Sequence, residues 1–429
     1  VSYYVKPNTK LYEEALKRGT SVYLADRVIP MLPHKLSNGI CSLNEGEIRL
    51  TESCMMEIDN KGKVVSSEIF ESYIKSRKKM TYECVNQILE ENTVTEGYSD
   101  FVDTLKLMQE LSNILRKEKI ERGYIDFNID EPTVVVDESG KAIDVIVEKR
   151  GVGEKLIEDF MIAANETVAS TIYFMDLPFI YRVHGEPSEE KIKQFLNFVS
   201  TLGYTVKGNL NNLTPKEMQR ILEVLNDKKE FSVLSNLMLR SMQKAIYDTN
   251  NIGHFGLASK CYTHFTSPIR RFPDTTVHRL IRMYLFEHKM DLDTINYLEK
   301  ELKEIALHSS ETERASIDCE REVTNMKIAE YMEKHIGETF KGMISTVTNF
   351  GLFVELPNLI EGLIHIDDLT DDHYIYDEAT FTLRGVKNKR GYRLGDNVEV
   401  ILKSANKELK QVDFVISNGK NKKLYAKNK

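Results

Sequence analysis

The chain has 429 residues with 58 Lys+Arg and 66 Asp+Glu, a formal net charge of −8, and about 150 residues per domain suggests two or three domains. Its 41% hydrophobic and 29% charged residues exclude an intrinsically disordered chain, and no stretch reaches the roughly 20 apolar residues of a membrane helix. Cys41, Cys54, Cys84, Cys261 and Cys319 lie far apart with no C-x-x-C pair, which argues against a disulfide framework or zinc ribbon and points to the cytoplasm.

The opening V-S-Y-Y-V has no initiator Met and reads as a strand. A domain rarely starts inside a buried strand, so the sequence is expected to be cut from a longer polypeptide. Residues 1–50 otherwise read as irregular, with short strands and turns around Pro30, Pro33 and Ser37-Asn38-Gly39. Ile69, Tyr73, Met80, Cys84 and Ile88 predict a helix over 66–91. Phe101, Leu105, Met108, Leu111 and Leu115 predict another over 99–121, with Ser99 as its cap. A hairpin is predicted at 133–136 and 143–147 around Glu138-Ser139-Gly140-Lys141, then helices at 154–175, 188–203, 214–226 and 231–247. A loop rich in Gly, His and Thr spans 250–266, and a long helical stretch over 274–335 breaks near Asp291.

Gly337 changes the pattern. Strands are predicted at 338–346, 350–356, 360–366, 396–403 and 411–416, with one long polar insertion at 370–395. Five short strands in about 80 residues fit a small OB-type barrel. The last eleven residues carry five lysines and no acid, usually a solvated, frayed end and at most a weak polyanion handle. The fold class expected is α+β, divided as 1–335, 336–418 and a basic tail at 419–429.

The run G-M-I-S-T-V-T-N-F-G-L-F-V-E-L and the following E-G-L-I-H-I-D-D-L resemble an S1 RNA-binding domain. That resemblance implies that Phe350, Phe353 and His365 offer ring faces to RNA bases; strand alternation alone would send half of such rings into the core.

R-G-T-S-V-Y-L-A-D-R-V-I-P-M-L-P at 18–33, L-I-E-D-F-M-I-A-A-N at 156–165, Y-R-V-H at 181–184 and H-F-G-L-A-S-K-C-Y-T-H-F-T-S-P-I-R-R-F-P-D at 254–274 resemble, in order, the ribonuclease II and ribonuclease R family, closest to the bacterial ribonuclease R type. The resemblance covers almost the whole chain. It implies a mixed helix and sheet RNB catalytic domain, incomplete at its N-terminus, followed by the S1 barrel. The implied activity is processive 3′-to-5′ hydrolysis of RNA to nucleoside 5′-monophosphates.

By the same resemblance, Tyr23 and Phe127 clamp the terminal bases, and Tyr82 and Glu158 sense the ribose 2′-hydroxyl. Arg270 sits beside the scissile phosphate, with Arg271 supporting it or touching the RNA backbone. By spacing alone, isolated rings are usually core and Glu158 would be an ordinary helix-surface ion pair. Ser267-Pro268-Ile269-Arg270 reads as a helix start, Ser as cap and Pro at the first position, which would favour an anion there. His254 and His264 read as hydrogen-bonding loop residues.

The family's Mg²⁺ is held by a D-x-x-x-x-x-D-x-D-D cluster, which is absent from this sequence and expected upstream of Val1. The chain alone is therefore expected to bind single-stranded RNA with a free 3′ end, as a monomer away from membranes, and to be inactive. The alternative is a non-catalytic RNA-binding protein with an S1 domain. Ribosomal or RNA-decay partners are not legible.

Overall fold

The opening residues form turns instead of the expected strand, because the amides of Tyr4 and Val5 both donate to the Val1 carbonyl. The computed structural model describes residues 1–127, 130–204, 213–228, 230–378 and 380–425. In the stretch read as irregular, helix α1 (Lys10–Arg18) is capped by Thr9, whose side chain accepts from the Tyr12 amide. Short strands β1 (Val22–Tyr23) and β2 (Val28–Ile29) follow and pair antiparallel.

The helix predicted over 66–91 is two elements. Strands β3 (Ile48–Ile58) and β4 (Val64–Lys75) form a long antiparallel hairpin, and only α2 (Tyr82–Glu90) is helical. Ile69 and Tyr73 are four residues apart, a spacing that fits one face of a strand as well as of a helix. The β-branched and aromatic content of V-V-S-S-E-I-F-E-S-Y-I decides for strand.

Helix α3 (Val102–Arg122) ends at the left-handed Gly123. The expected hairpin is β5 (Glu131–Val136) with β6 (Ala142–Glu148). Helix α4 (Val152–Phe174), strand β7 (Tyr181–Val183) and helices α5 (Glu189–Thr201), α6 (Pro215–Leu225) and α7 (Phe231–Ser241) follow. α7 stops short of the predicted 247 because β8 (Ile246–Asp248) leaves to pair with β7. Helix α8 (Phe272–Ile281) leads through a π-type turn to α9 (Leu292–Met332), whose cap is Asp291 at the expected break.

Beyond it lie β9 (Thr339–Thr348), β10 (Gly351–Glu355), β11 (Glu361–His365), β12 (Tyr374–Asp377), β13 (Thr382–Gly385), β14 (Gly391–Arg393), β15 (Asn397–Asn406) and β16 (Gln411–Ile416). The five predicted strands close as a barrel in the order β10-β11-β16-β15-β9. The segment read as one polar insertion contains a second sheet, β12-β13-β14, whose Leu383 and Tyr392 are buried. Residues 419–425 of the tail are helical (α10, Gly419–Tyr425), and the rest of it lies outside the described residues. Among the described residues no helix is long and apolar enough to cross a membrane.

The 41 residues of α9 span about 60 Å at 1.5 Å per residue. Its N-terminal half, with Leu298, Leu302 and Ile305, joins a core with α8, β7 and the second half of α4. Its C-terminal end, with Ile328, Ala329 and Met332, joins a second core that runs continuously from α5–α7 into the barrel. Between the two, α9 passes the end of α1. Gly19 there has φ +66°, and a Cβ on it would lie 2.0 Å from Thr312 Oγ1 of α9, so both backbone conformation and space require glycine. Gly19→Ala is expected to cost about 2 kcal/mol or more, and Thr312→Ala, which removes Oγ1 and Cγ2 but keeps the Cβ at 2.7 Å, should recover part of the steric cost and none of the backbone cost. Urea unfolding of the two single variants and the double variant checks this; simple additivity of the two costs would count against the contact.

Candidate nucleic-acid interface

The loop that carries Arg270 is anchored from both sides. The Ser21 amide and the Thr20 hydroxyl both donate to the Arg270 carbonyl (2.9 and 3.1 Å), and the Phe272 amide donates to the Gly19 carbonyl (2.8 Å). Residues some 250 apart in sequence thereby form one short ladder, with the strand of Tyr23 at its end. The Tyr23 amide donates to Glu320 Oε1 of α9 at 2.7 Å while about half of the residue is exposed.

The expected helix start at Ser267 is not formed. Residues 267–270 make a turn, Arg271 is extended, and α8 begins at Phe272 with Pro273 in its first turn. Tertiary partners override the local signal: buried Asp274 accepts from the Ser267 amide (2.7 Å) and the Arg271 guanidinium (2.7 Å), and Thr275 Oγ1 donates to the Pro268 carbonyl (2.7 Å). Arg270 therefore does not stand on a helix N-terminus. It is exposed and has no ion pair among the described residues, whereas Arg271 is mostly buried against Asp274.

Tyr82 and Glu158 both lie at the N-terminal part of α4. Tyr82 opens α2, half-exposed, with its ring beside Gly153. Asn86 accepts from the Gly153 amide (2.7 Å) and donates to Glu154 (3.0 Å), which fastens α2 to α4. Glu158 lies further along α4 in a cage that sequence spacing gave no sign of. Its Oε1 accepts from Tyr124 Oη (2.9 Å) and Lys119 Nζ (3.1 Å), and its Oε2 accepts from Arg150 (3.2 Å). Asp159 next to it is fully buried on Ser112, Arg116 and Lys119. Of the two acids, only Glu158 keeps an oxygen toward an exposed partner that can be exchanged. Burial and the Glu158 carboxylate push the Tyr124 phenol far above its usual range, so it stays a donor.

Phe127 is half-buried and packs on the second core. Neighbouring Ile125 donates its amide to the Gly256 carbonyl (3.0 Å), and Asp126 takes Arg150 at 3.2 Å. The segment before Phe127 is thus bonded to the 254–257 turn of the loop that ends at Arg270. The turn of the β5–β6 hairpin also approaches the turn after Tyr23, with Asp26 beside Gly140.

On the barrel, Gly351 pairs with His365 and Phe353 with Leu363, so alternation sends Leu352, Val354 and Ile364 inward and leaves the rings outside. Phe350 and His365 are exposed, Phe353 is half-buried, and Phe350 meets Phe353 edge to face at 5.9 Å. A Cβ on Gly351 would fall 2.2 Å from the Ile364 carbonyl oxygen, so glycine brings these two strands together. Among the described residues no three His, Cys, Asp or Glu side chains converge to hold a metal ion; Mg²⁺ has no fitting donor set there.

Comparison with known proteins agrees with this architecture. The RNB domain matches residues 1–287 and the S1 RNA binding domain residues 333–417, so the chain belongs to the RNB family and carries an S1 domain. It is 45% identical over 415 residues to ribonuclease R 1 of Lactococcus lactis, covering 96% of this chain and 51% of that protein. It is 47% identical over 419 residues to ribonuclease R of Thermotoga maritima, covering 97% and 59%. The structure of Mycoplasma genitalium RNase R in complex with ribose methylated single-stranded RNA superposes with a TM-score of 0.92 at 33% identity, covering 97% of this chain and 65% of that one. The chain spans about half the length of the curated relatives it matches.

The histidines read as loop residues do serve there. His254 Nδ1 accepts from the Leu257 amide (3.2 Å), and His264 Nδ1 pairs with Tyr247 Oη (2.8 Å). Burial, with His184 and Arg182 nearby, pushes His254 down to about 3; burial and the Arg271 and Arg182 guanidiniums hold His264 well below its usual value. The folded values lie below the unfolded 6.5, so the unfolded chain binds more protons as pH falls. The stability that these neutral histidines contribute is present above about pH 6.5 and is lost as pH falls below it, for His254 down to about pH 3 at about 1.4 kcal/mol per pH unit. In His254→Asn, which keeps an acceptor for Leu257, the slope of unfolding free energy against pH between about 6 and 4 should fall by one proton; an unchanged slope would contradict the assignment.

Proposed function

We propose that this chain forms the RNA-gripping part of a 3′-to-5′ exoribonuclease of the ribonuclease R type, which hydrolyses RNA processively from a free 3′ end and releases nucleoside 5′-monophosphates. The reading is carried by the ladder between residues 19–21 and 270–272, which holds the strand of exposed Tyr23 against the loop of exposed, unpaired Arg270. The single-stranded RNA in the Mycoplasma genitalium complex supports the choice of ligand.

In this reading Tyr23 and Phe127 stack on terminal bases, which tolerates any sequence. Tyr82 and Glu158 receive the ribose 2′-hydroxyl, with Arg150 giving up Glu158 Oε2 to it. Arg270 meets the scissile phosphate, where a guanidinium gains most as charge develops in the transition state. Arg271, tied to Asp274, acts by holding that loop in place. Phe350, Phe353 and His365 add stacking along the strand. Mg²⁺ is the cofactor this activity implies, and since the described residues offer no set that holds it, the chain alone is expected to bind RNA and to hydrolyse it very slowly or not at all. That same observation favours a second reading, a non-catalytic single-stranded RNA-binding protein.

The test uses the chain as it stands, with end-labelled single-stranded RNA and Mg²⁺. Binding without digestion is expected, and Tyr23→Ala should weaken the binding. Failure to bind would overturn the grip; digestion at the rate of an intact nuclease would overturn the expected inactivity. In a polypeptide that also carries the carboxylate cluster, Arg270→Ala should lower turnover far more than RNA affinity. Processive digestion by that polypeptide separates the enzyme from the non-catalytic reading, and equal losses in binding and turnover would count against the role of Arg270.

A further inference from the structure

The three-stranded sheet β12-β13-β14 has a face that the ring surface of the barrel does not use. Its register pairs Ile375 with Arg384, Arg384 with Gly391 and Thr382 with Arg393. Alternation therefore places Ile375, Asp377, Thr382, Arg384, Gly391 and Arg393 on one side, of which Thr382 is buried, and Tyr376, Leu383 and Tyr392 on the other. The second side is the seated one: Leu383 and Tyr392 join the core shared by the barrel and α5, and Phe381 meets Phe198 at 5.2 Å. On the outer side Ile375 is 58% exposed, and Arg384, Gly391 and Arg393 are exposed as well.

The β13–β14 turn adds Lys387, Lys389 and Arg390, all exposed, so ten residues carry five cations. The turn is fixed from below, because Asp372 Oδ2 accepts the amides of Lys387 (2.8 Å) and Asn388 (2.7 Å). Among the described residues four carboxylates lie at the cluster. Asp377 takes Arg384 at 3.5 Å, Asp371 takes Arg390 at 3.8 Å, Asp372 is engaged by the turn, and Asp396 accepts the Arg393 amide at 2.8 Å. Lys387, Lys389 and Arg393 hold no ion pair among the described residues.

We propose that this outer face is a second RNA contact of the chain, which holds the sugar–phosphate backbone of a single strand independently of sequence. It deepens the RNA-binding reading and rests on it. Cations gathered on an exposed face suit phosphates. The turn's side-chain amide, Asn388, is spent on the Asp371 carboxylate and the Arg390 amide, and exposed His373 stands at the edge, so the face offers charge more than base-reading groups. An acidic polypeptide is the competing occupant, and the test separates the two.

The experiment measures binding of labelled oligouridylate, and of oligodeoxythymidylate of equal length, to the chain across a salt series. The triple variant Lys387→Gln, Lys389→Gln, Arg393→Gln removes exposed cations that hold no ion pair, so the fold is kept. With a slope of about −0.7 per phosphate neutralised on a single strand, the log K against log salt slope should flatten by about 2, and affinity at low salt should fall tens-fold. The change should be equal for the two oligomers, because the backbone charge is the same. Phe350→Ala, which removes stacking, should weaken binding with the slope kept.

An unchanged slope in the triple variant overturns the proposal, as does a loss confined to RNA, which would mean that the 2′-hydroxyl is read there. Polyglutamate that binds the wild-type chain as firmly as RNA and is lost in the variant reassigns the face to an acidic polypeptide and equally overturns it. No binding of either oligomer by the wild-type chain is a different result: it removes the RNA-binding reading itself.

Discussion

The polar face of α9 is the constraint on which the rest of the arrangement depends. Along one helix, Ser310 accepts from the Tyr247 amide, Glu313 takes Arg182, Thr312 lies against Gly19, and Glu320 receives the amide of Tyr23. Further on, Glu330 accepts the Ala142 amide of the β5–β6 hairpin and the ammonium groups of Lys327 and Lys407, while Glu322 takes Lys410 of the barrel. Rise per residue along a helix is fixed, so the spacing of these partners is fixed too. Elements from the two ends of the sequence keep their relative places without having to touch each other. The Lys327 and Lys407 ammonium groups and the Ala142 amide together hold the Glu330 carboxyl down to about 2, against the opposing effect of its partial burial. It therefore remains an acceptor throughout the ordinary pH range.

Neighbouring acids on α4 show how a single residue's step along a helix separates a buried anchor from a carboxylate with an exchangeable partner. Asp159 and Glu158 differ by about 100° around the axis. One faces α3 and is consumed by Ser112, Arg116 and Lys119, and the other faces outward with the exposed Arg150 as its last partner. Acids spent within the fold do not set up a repulsive field at the surface, so a net charge of −8 does not by itself oppose a polyanion. Asp159, Asp274, Glu301 and Glu330 each neutralise a cation or cap a backbone amide.

Much of this was legible in the sequence where local physics decides. The barrel strands and the β5–β6 hairpin alternate cleanly between turn residues, and α3 has an unbroken helical repeat; all three lie where the pattern puts them. The β3–β4 hairpin was not legible, because Ile69 and Tyr73 satisfy both periods. Ser267-Pro268 carries a sound local cap signal that Asp274 and Gly19 overrule from a distance. The same limit hid the cage of Glu158: Lys119 and Tyr124 come from the end of α3 and the residues just after it, Arg150 from the loop before α4, and no spacing in a single sequence announces such a convergence. Motif resemblance found Tyr23 and Arg270, but only the ladder between their segments gives a physical reason for them to be neighbours.

Two family matches suggest two independent folding units, yet the apolar interior does not respect that division. Phe198 of α5 meets Phe381 of the barrel region, and Ile328, Ala329 and Met332 of α9 lie in the same continuous core as Leu352, Val400 and Phe414. Cutting the chain between the two matches would uncover that interior on both sides. Ancestry here counts two modules, while the interior joins them: on heating, the barrel and α5–α7, which share one core, should melt together.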